Sequence, residues 1–197
     1  MSQSYVIRVS ASVREVVATK DRRRKTIALS KIVPAAEQRE LLRAALRAKG
    51  WEEEKGSEGK VLRRRRGRVV ERVDLEELTV EAEVELAKTL ERSRTITVRG
   101  DRDFEDEEER RRREQASLER SLSIRDEERA AVESELLAEI ARELEETDAE
   151  RDAELNEAVR EVYAESLKRK ARSLGTVTSV REHRSGDDYE LVIKITE

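Results

Sequence analysis

The chain has 197 residues, 45% of them charged, 36% apolar and only 3% aromatic. Its core is therefore small or the molecule elongated, and little large apolar material is left to wall a water-poor catalytic pocket. The net charge is only −4 and there is no cysteine. Low net charge with clear apolar periodicity argues against disorder for most of the chain, and the missing thiols exclude disulfides, thiolate metal sites and cysteine nucleophiles.

Charge is uneven: residues 1–100 carry a net +8 and residues 101–197 a net −12. A basic head and an acidic arm would attract each other or an external charged partner. No run approaches the ~18 apolar residues of a membrane span. Met1 to Tyr5 lacks the basic-then-apolar layout of a signal peptide, so a cytoplasmic protein without membrane contact is expected.

Tyr5-Val6-Ile7-Arg8-Val9 reads as a strand, running on with bends through Val13 to Val17. Asp21 to Lys25 reads as a polar turn, and Thr26-Ile27-Ala28-Leu29 as a second strand pairing with the first in a hairpin. Pro34 suits the first turn of a helix with an apolar stripe at Leu41, Leu42, Ala45 and Leu46, stopped by Gly50, with Trp51 folding back onto the stripe. A polar loop, Glu52 to Gly59, follows. Strands are expected at Lys60 to Arg66 and Arg68 to Val73, around Gly67. Leu78 to Leu86 alternates strictly between apolar and polar, the mark of a half-buried strand. A tight turn near Lys88-Thr89 would return the chain through Arg92 to Val98, placing Glu85 opposite Arg92 and Glu83 opposite Arg94.

From Asp101 strong helix formers dominate, and residues 102–174 read as helix with one or two breaks. Acids at Glu105 to Glu109 precede Arg110 to Arg113, a spacing that supports an exposed helix. Ser123 reads as a cap. The stripe Val132, Leu136, Leu137, Ile140, Leu144 breaks across Glu145 to Asp152 and resumes at Leu155, Val159, Val162, Tyr163, Leu167 and Leu174. Thr147 and Glu150 match a capping box, and a continuous or bent helix is equally open. The stripes must bury their apolar faces against each other, against the sheet or in a dimer. After Gly175, two alternating segments flank Ser185-Gly186-Asp187-Asp188, a hairpin signature.

Sites of chemistry are scarce. His183, the single histidine, lies near Asp187 and Asp188, too few ligands for a metal site. No nucleophile elbow, Walker motif, G-x-G-x-x-G or EF-hand spacing occurs. The basic clusters Arg22, Arg23, Arg24, Lys25 and Arg63, Arg64, Arg65, Arg66 with Arg68 suit phosphate backbones. They lack interleaved aromatics for stacking on single strands.

The C-terminal layout, Val162-Tyr163 on a helix, Lys168 to Leu174, Gly175, then strands ending Leu191-Val192-Ile193-Lys194-Ile195, resembles the tail of small accessory proteins encoded beside AAA+ ATPases. It is similar to a cyanobacterial and plastid family of unknown function, and to accessory domains of bacterial ternary systems built around FtsH-like or MoxR-like ATPases. The resemblance covers about the first 100 and last 40 residues. It implies a protein partner, an AAA+ ATPase, in a bacterial conflict or stress-response setting.

The expectation is an α+β fold: a small mixed or antiparallel sheet with one packed helix, a long coiled-coil-like helical insertion, and a C-terminal β-hairpin returning to the sheet. Residues 1–100 would form the platform, 101–174 a charged arm, and 175–197 the hairpin. Such a chain is a non-catalytic adaptor or scaffold without cofactor or metal, engaging a protein partner or a second copy through Val132, Leu136, Ile140, Leu144, Val159 and Val162. The alternative is a nucleic-acid-binding accessory protein using the arginine clusters.

Overall fold

The structure, a computed structural model, describes residues 4–101, 106–185 and 188–196. It is α+β. In chain order it contains β1 (Ser4–Thr26), α1 (Ala35–Ala48), β2 (Glu52–Glu53), β3 (Val61–Arg66), β4 (Val69–Asp74) and β5 (Thr79–Asp101). Then follow α2 (Glu107–Ser121), α3 (Asp126–Leu174), β6 (Thr176–Ser185) and β7 (Asp188–Thr196). Five strands form an antiparallel sheet in the order β1-β5-β4-β3-β2, and β6 and β7 form a sheet of their own. The hairpin therefore adds no strand to the larger sheet, which corrects its expected return there.

Two expected hairpins are instead continuous strands of 23 residues each, β1 and β5. Neither Asp21 to Lys25 nor Lys88-Thr89 contains glycine or asparagine. A two-residue hairpin turn needs positive φ, which other side chains resist. The expected Glu85–Arg92 and Glu83–Arg94 pairs thus do not form across a turn. Glu81 instead meets Arg22 at 3.5 Å, and Glu83 meets Arg72 at 4.0 Å.

Helical expectations fare better. The one break among the described residues falls at 122–125, between α2 and α3. α3 begins at Asp126, three residues after the expected cap Ser123. It runs without interruption through Glu145 to Asp152. Thr147 is no cap: its Oγ1 donates back to the carbonyls of Glu143 and Leu144, as an interior helical threonine does. The expected helix start at 102–105, and Gly186 and Asp187 of the hairpin turn, lie outside the described residues.

The chain divides into two compact units, Met1–Lys20 with Glu85–Ile140 and Asp21–Val84 with Ala141–Glu197. In the first, alternate residues of β1 (Tyr5, Ile7, Val9, Ala11) are buried with Leu118 of α2 and Leu122 just after it, and Val13, Ile96 and Val98 pack around them. Lys88–Glu135 at 2.7 Å, Arg92–Glu128 and Glu15–Arg129 are ion pairs within this unit.

The second unit holds a core of Leu41, Leu42, Ala45 and Leu46 from α1 with Trp51, Leu62, Val73, Leu75, Val80, and Leu155, Ala158 and Val162 of α3. The end of α1 is a Schellman motif. Gly50 takes φ +85°, its N–H donates to Arg47 O at 3.0 Å, and Trp51 N–H donates to Leu46 O at 3.2 Å. This turn swings Trp51 back onto Leu46, as its position after Gly50 predicts. Tyr163 Oη accepts from Ser30 N–H at 3.1 Å, and so anchors the segment after β1 to α3.

Candidate functional site

The most heavily charged interior of the second unit lies where β3 and β4 meet α3. β4 is Val69 to Asp74, and its alternation buries Val69, Glu71 and Val73 on one face. Glu71 is 0% exposed, a carboxylate at a core position, which demands compensation. Arg64 is its direct cross-strand neighbour on β3 and donates to Oε2 from Nη2 at 2.8 Å and Nε at 3.1 Å. On the other side Arg151 of α3, 2% exposed, approaches Glu71 Oε1 at 3.4 Å.

The pattern extends both ways as alternating signs. Arg64 also donates to Glu154, which accepts from Arg66 at 2.8 Å and from Trp51 Nε1 at 3.1 Å. The Arg64 guanidinium lies 4.4 Å from the Trp51 ring centroid, a cation–π contact. Arg151 also donates to Asp148. Lys25 donates to both oxygens of Asp148 at 2.9 Å and to Asp152 at 2.8 Å. Arg66, Glu154, Arg64, Glu71, Arg151, Asp148, Lys25 and Asp152 thus form one neutral chain of four cations and four anions.

The electrostatics fix these charges. Burial pushes the Glu154 carboxyl up, but the bonds from Arg64 and Trp51 and the charges of Arg64 and Arg66 outweigh it, leaving its pKa below the ordinary value. Burial pushes Arg64 down, and Glu154 and Glu71 more than restore it. The Lys25 hydrogen bond, helped by Arg151, holds Asp148 low, and Asp152 and Asp148 hold Lys25 high. General acid–base work needs groups moved toward neutrality; these four are all moved away from it. What the arrangement does is lock α3 onto β3 and β4.

The lock takes Lys25, Arg64 and Arg66 from the two basic clusters. Arg64 and Arg66 point to α3 acids, and Arg66 also meets Glu150. Arg22 faces Glu81 at 3.5 Å, Arg23 faces Asp148 at 3.8 Å, and Arg24 pairs with Glu77. Arg63 and Arg65 are exposed on the opposite face of β3, where Arg63 lies across from Glu52 of β2. The expected contact residues of α3 are largely interior: Leu136, Ile140, Leu144 and Val162 are buried, and Val132 and Val159 are half-buried. Val159 and Val162 belong to the core that contains α1.

A second feature is an open groove of about 460 Å³ between α3 and the hairpin. It is lined by Glu157, Arg160, Glu161, Ala164, Glu165, Lys168, Glu182, His183 and Tyr189. Lys168 bonds Glu182 at 2.6 Å and Glu165 at 3.0 Å, which holds the ammonium pKa high. The same bond holds Glu182 low. Lys49 bridges Glu161 at 2.9 Å and Glu157 at 3.2 Å. His183 is exposed, and its expected neighbour Asp187 lies outside the described residues. Among the described residues no group of three His, Asp or Glu side chains is placed to hold a metal ion.

A family model described as FtsH ternary system domain X5 matches residues 1–196. The chain belongs to this family. Its membership agrees with the resemblance read from the C-terminal residues and makes the chain a domain of an FtsH ternary system. No curated protein and no solved structure matches it.

The ionic lock was missed by sequence reasoning, yet it left a signal. Leu144, Asp148, Arg151, Leu155, Ala158 and Val162 follow one another at spacings of three and four. The gap in the apolar stripe is a place where a buried arginine stands in for a leucine.

Proposed function

We propose that the chain is a non-catalytic accessory subunit of the bacterial cytoplasm that works by docking to other proteins, an FtsH-type AAA+ ATPase foremost. The observation that carries this reading is the contrast between its charged and apolar side chains. The charged groups of the core are spent on one another, as the eight-membered chain shows. Of the eight large apolar side chains left exposed among the described residues, five fall between residues 167 and 195: Leu167, Leu174, Val180, Val192 and Ile195. These side chains lie on the last turns of α3 and on both faces of the β6–β7 hairpin, and such exposure favours contact with another chain over a reaction centre. Membership in an FtsH ternary system supplies the partner class.

The test is reconstitution of the full chain with the ATPase of its own system. The two should co-elute on size exclusion, and the chain should change the rate of ATP hydrolysis while hydrolysing nothing alone. Nucleotide or peptide hydrolysis by the purified chain, or the lack of any complex, would overturn the proposal. Tight binding of DNA or RNA that weakens steeply with salt would favour the polyanion reading instead.

A further inference from the structure

We propose that β7 is an open sheet edge that pairs antiparallel with β7 of a second copy of this chain, fusing two hairpins into one four-stranded sheet. A two-stranded sheet is marginal in water and gains stability from further strands. Among the described residues β6 and β7 have only each other.

The two free edges differ. β6 carries a register shift between Val177 and Ser179 and the exposed charged run Arg181-Glu182-His183. Bulges and charges are what keep an edge from accepting another strand. β7 has no bulge of its own, and its three charges, Asp188, Glu190 and Lys194, are spaced apart, leaving the largely β-branched run Leu191-Val192-Ile193 uninterrupted between Glu190 and Lys194. Along β7, Tyr189, Leu191, Ile193 and Ile195 alternate with Glu190, Val192 and Lys194, and Val192 and Ile195 remain 42% and 40% exposed. Both faces of the strand therefore keep apolar surface in contact with water.

The sequence of β7 is complementary to itself. Antiparallel pairing centred on Val192 sets Glu190 opposite the partner's Lys194, and Lys194 opposite the partner's Glu190. It sets Leu191 against Ile193, Tyr189 against Ile195, and Val192 against its own copy. Opposite charges and aromatic–β-branched pairs are favourable across strands, and the symmetric contact closes as a dimer. A register centred on Ile193 would put Lys194 against Val192 and lose both ion pairs. This self-matching favours a second copy over a foreign segment as the occupant; it draws on Val192 and Ile195, two of the five side chains counted toward the ATPase-docking surface, and the test separates the two readings.

The test uses the full chain in sedimentation equilibrium. Wild type should run at twice the mass of one chain. Val192→Glu should be monomeric, because it sets two carboxylates against each other at the two-fold axis. Within one hairpin the same change faces Arg181, the cross-strand neighbour of Val192, so it does not threaten the fold. Glu190→Lys should weaken the dimer at least tenfold, and adding Lys194→Glu should restore it. Val192→Cys, in a chain with no other cysteine, should give a disulfide-linked dimer under mild oxidation, since directly opposed strand residues lie within disulfide reach. A monomeric wild type, or a dimer untouched by Val192→Glu and not crosslinked through Val192→Cys, would overturn the proposal. A monomer that loses ATPase binding on Val192→Glu would assign the edge to a foreign strand and overturn it equally.

Discussion

Glu71→Gln is the sharpest probe of the ionic lock. It keeps the side-chain volume and removes one charge from a site with 0% exposure. Arg64 and Arg151 would lose the carboxylate between them. Removing one partner from a buried ion pair costs about 3–5 kcal/mol. Arg64 keeps Glu154 and Arg151 keeps Asp148, so the lower end, about 3 kcal/mol, is expected. The assay is urea unfolding followed by fluorescence. Trp51 is the single tryptophan and touches Arg64 and Glu154, so its signal reports directly on the surroundings of the lock. With a slope of about 2 kcal/mol per molar urea, the midpoint should fall by roughly 1.5 M. The triple change Arg64→Leu, Glu71→Leu and Arg151→Leu should recover most of the loss, because apolar replacement of a whole buried cluster is often neutral. A loss under about 1 kcal/mol for Glu71→Gln is what exposed pairs give, and would refute the burial of Glu71 between Arg64 and Arg151.

Acid should weaken the same unit. Asp148 and Glu154 have pKa values held below their ordinary 3.8 and 4.5, so their contribution is complete above those values and is lost as pH falls through the lowered ones. The Trp51-detected midpoint should be flat from pH 7 to 5 and drop below about 4.5, and Glu154→Gln should flatten that drop; an unchanged slope would refute the assignment. Gly50→Ala should cost about 1–2 kcal/mol in the same assay. Nothing lies within 4 Å of the added Cβ, so the penalty comes from the left-handed backbone alone, and a neutral result would contradict the Schellman geometry.

Much of the fold was readable from punctuation. Gly50, Gly67 and Gly175 sit at or beside the element boundaries they suggested, and the alternation of Val80, Ala82, Val84 and Leu86 gave the buried face of β5. The misreadings came from places without punctuation. Asp21 to Lys25 and Lys88-Thr89 look polar enough to turn, but polarity on one strand face is ordinary, and neither segment contains the glycine or asparagine that most readily takes positive φ. The arginine run looks like one basic block in sequence, but period-two alternation on β3 sends Arg64 and Arg66 to one face and Arg63 and Arg65 to the other. The lock depends on pairs such as Lys25 with Asp152, which are 127 residues apart, and local pattern cannot reveal such a match.

The two units are threaded through one another in sequence, each assembled from an early and a late stretch of chain. During synthesis the first unit is incomplete until Ile140 has left the ribosome, and the core of the second until Val162 has. Domains that fold one after another as they emerge escape this delay. Here the apolar face of β1 waits for Leu118 and Leu122, and those of β3 and β4 wait for α3, before they are covered. A single cut can leave one unit whole, after Lys20 or after Ile140, but always with a stretch of the other still attached.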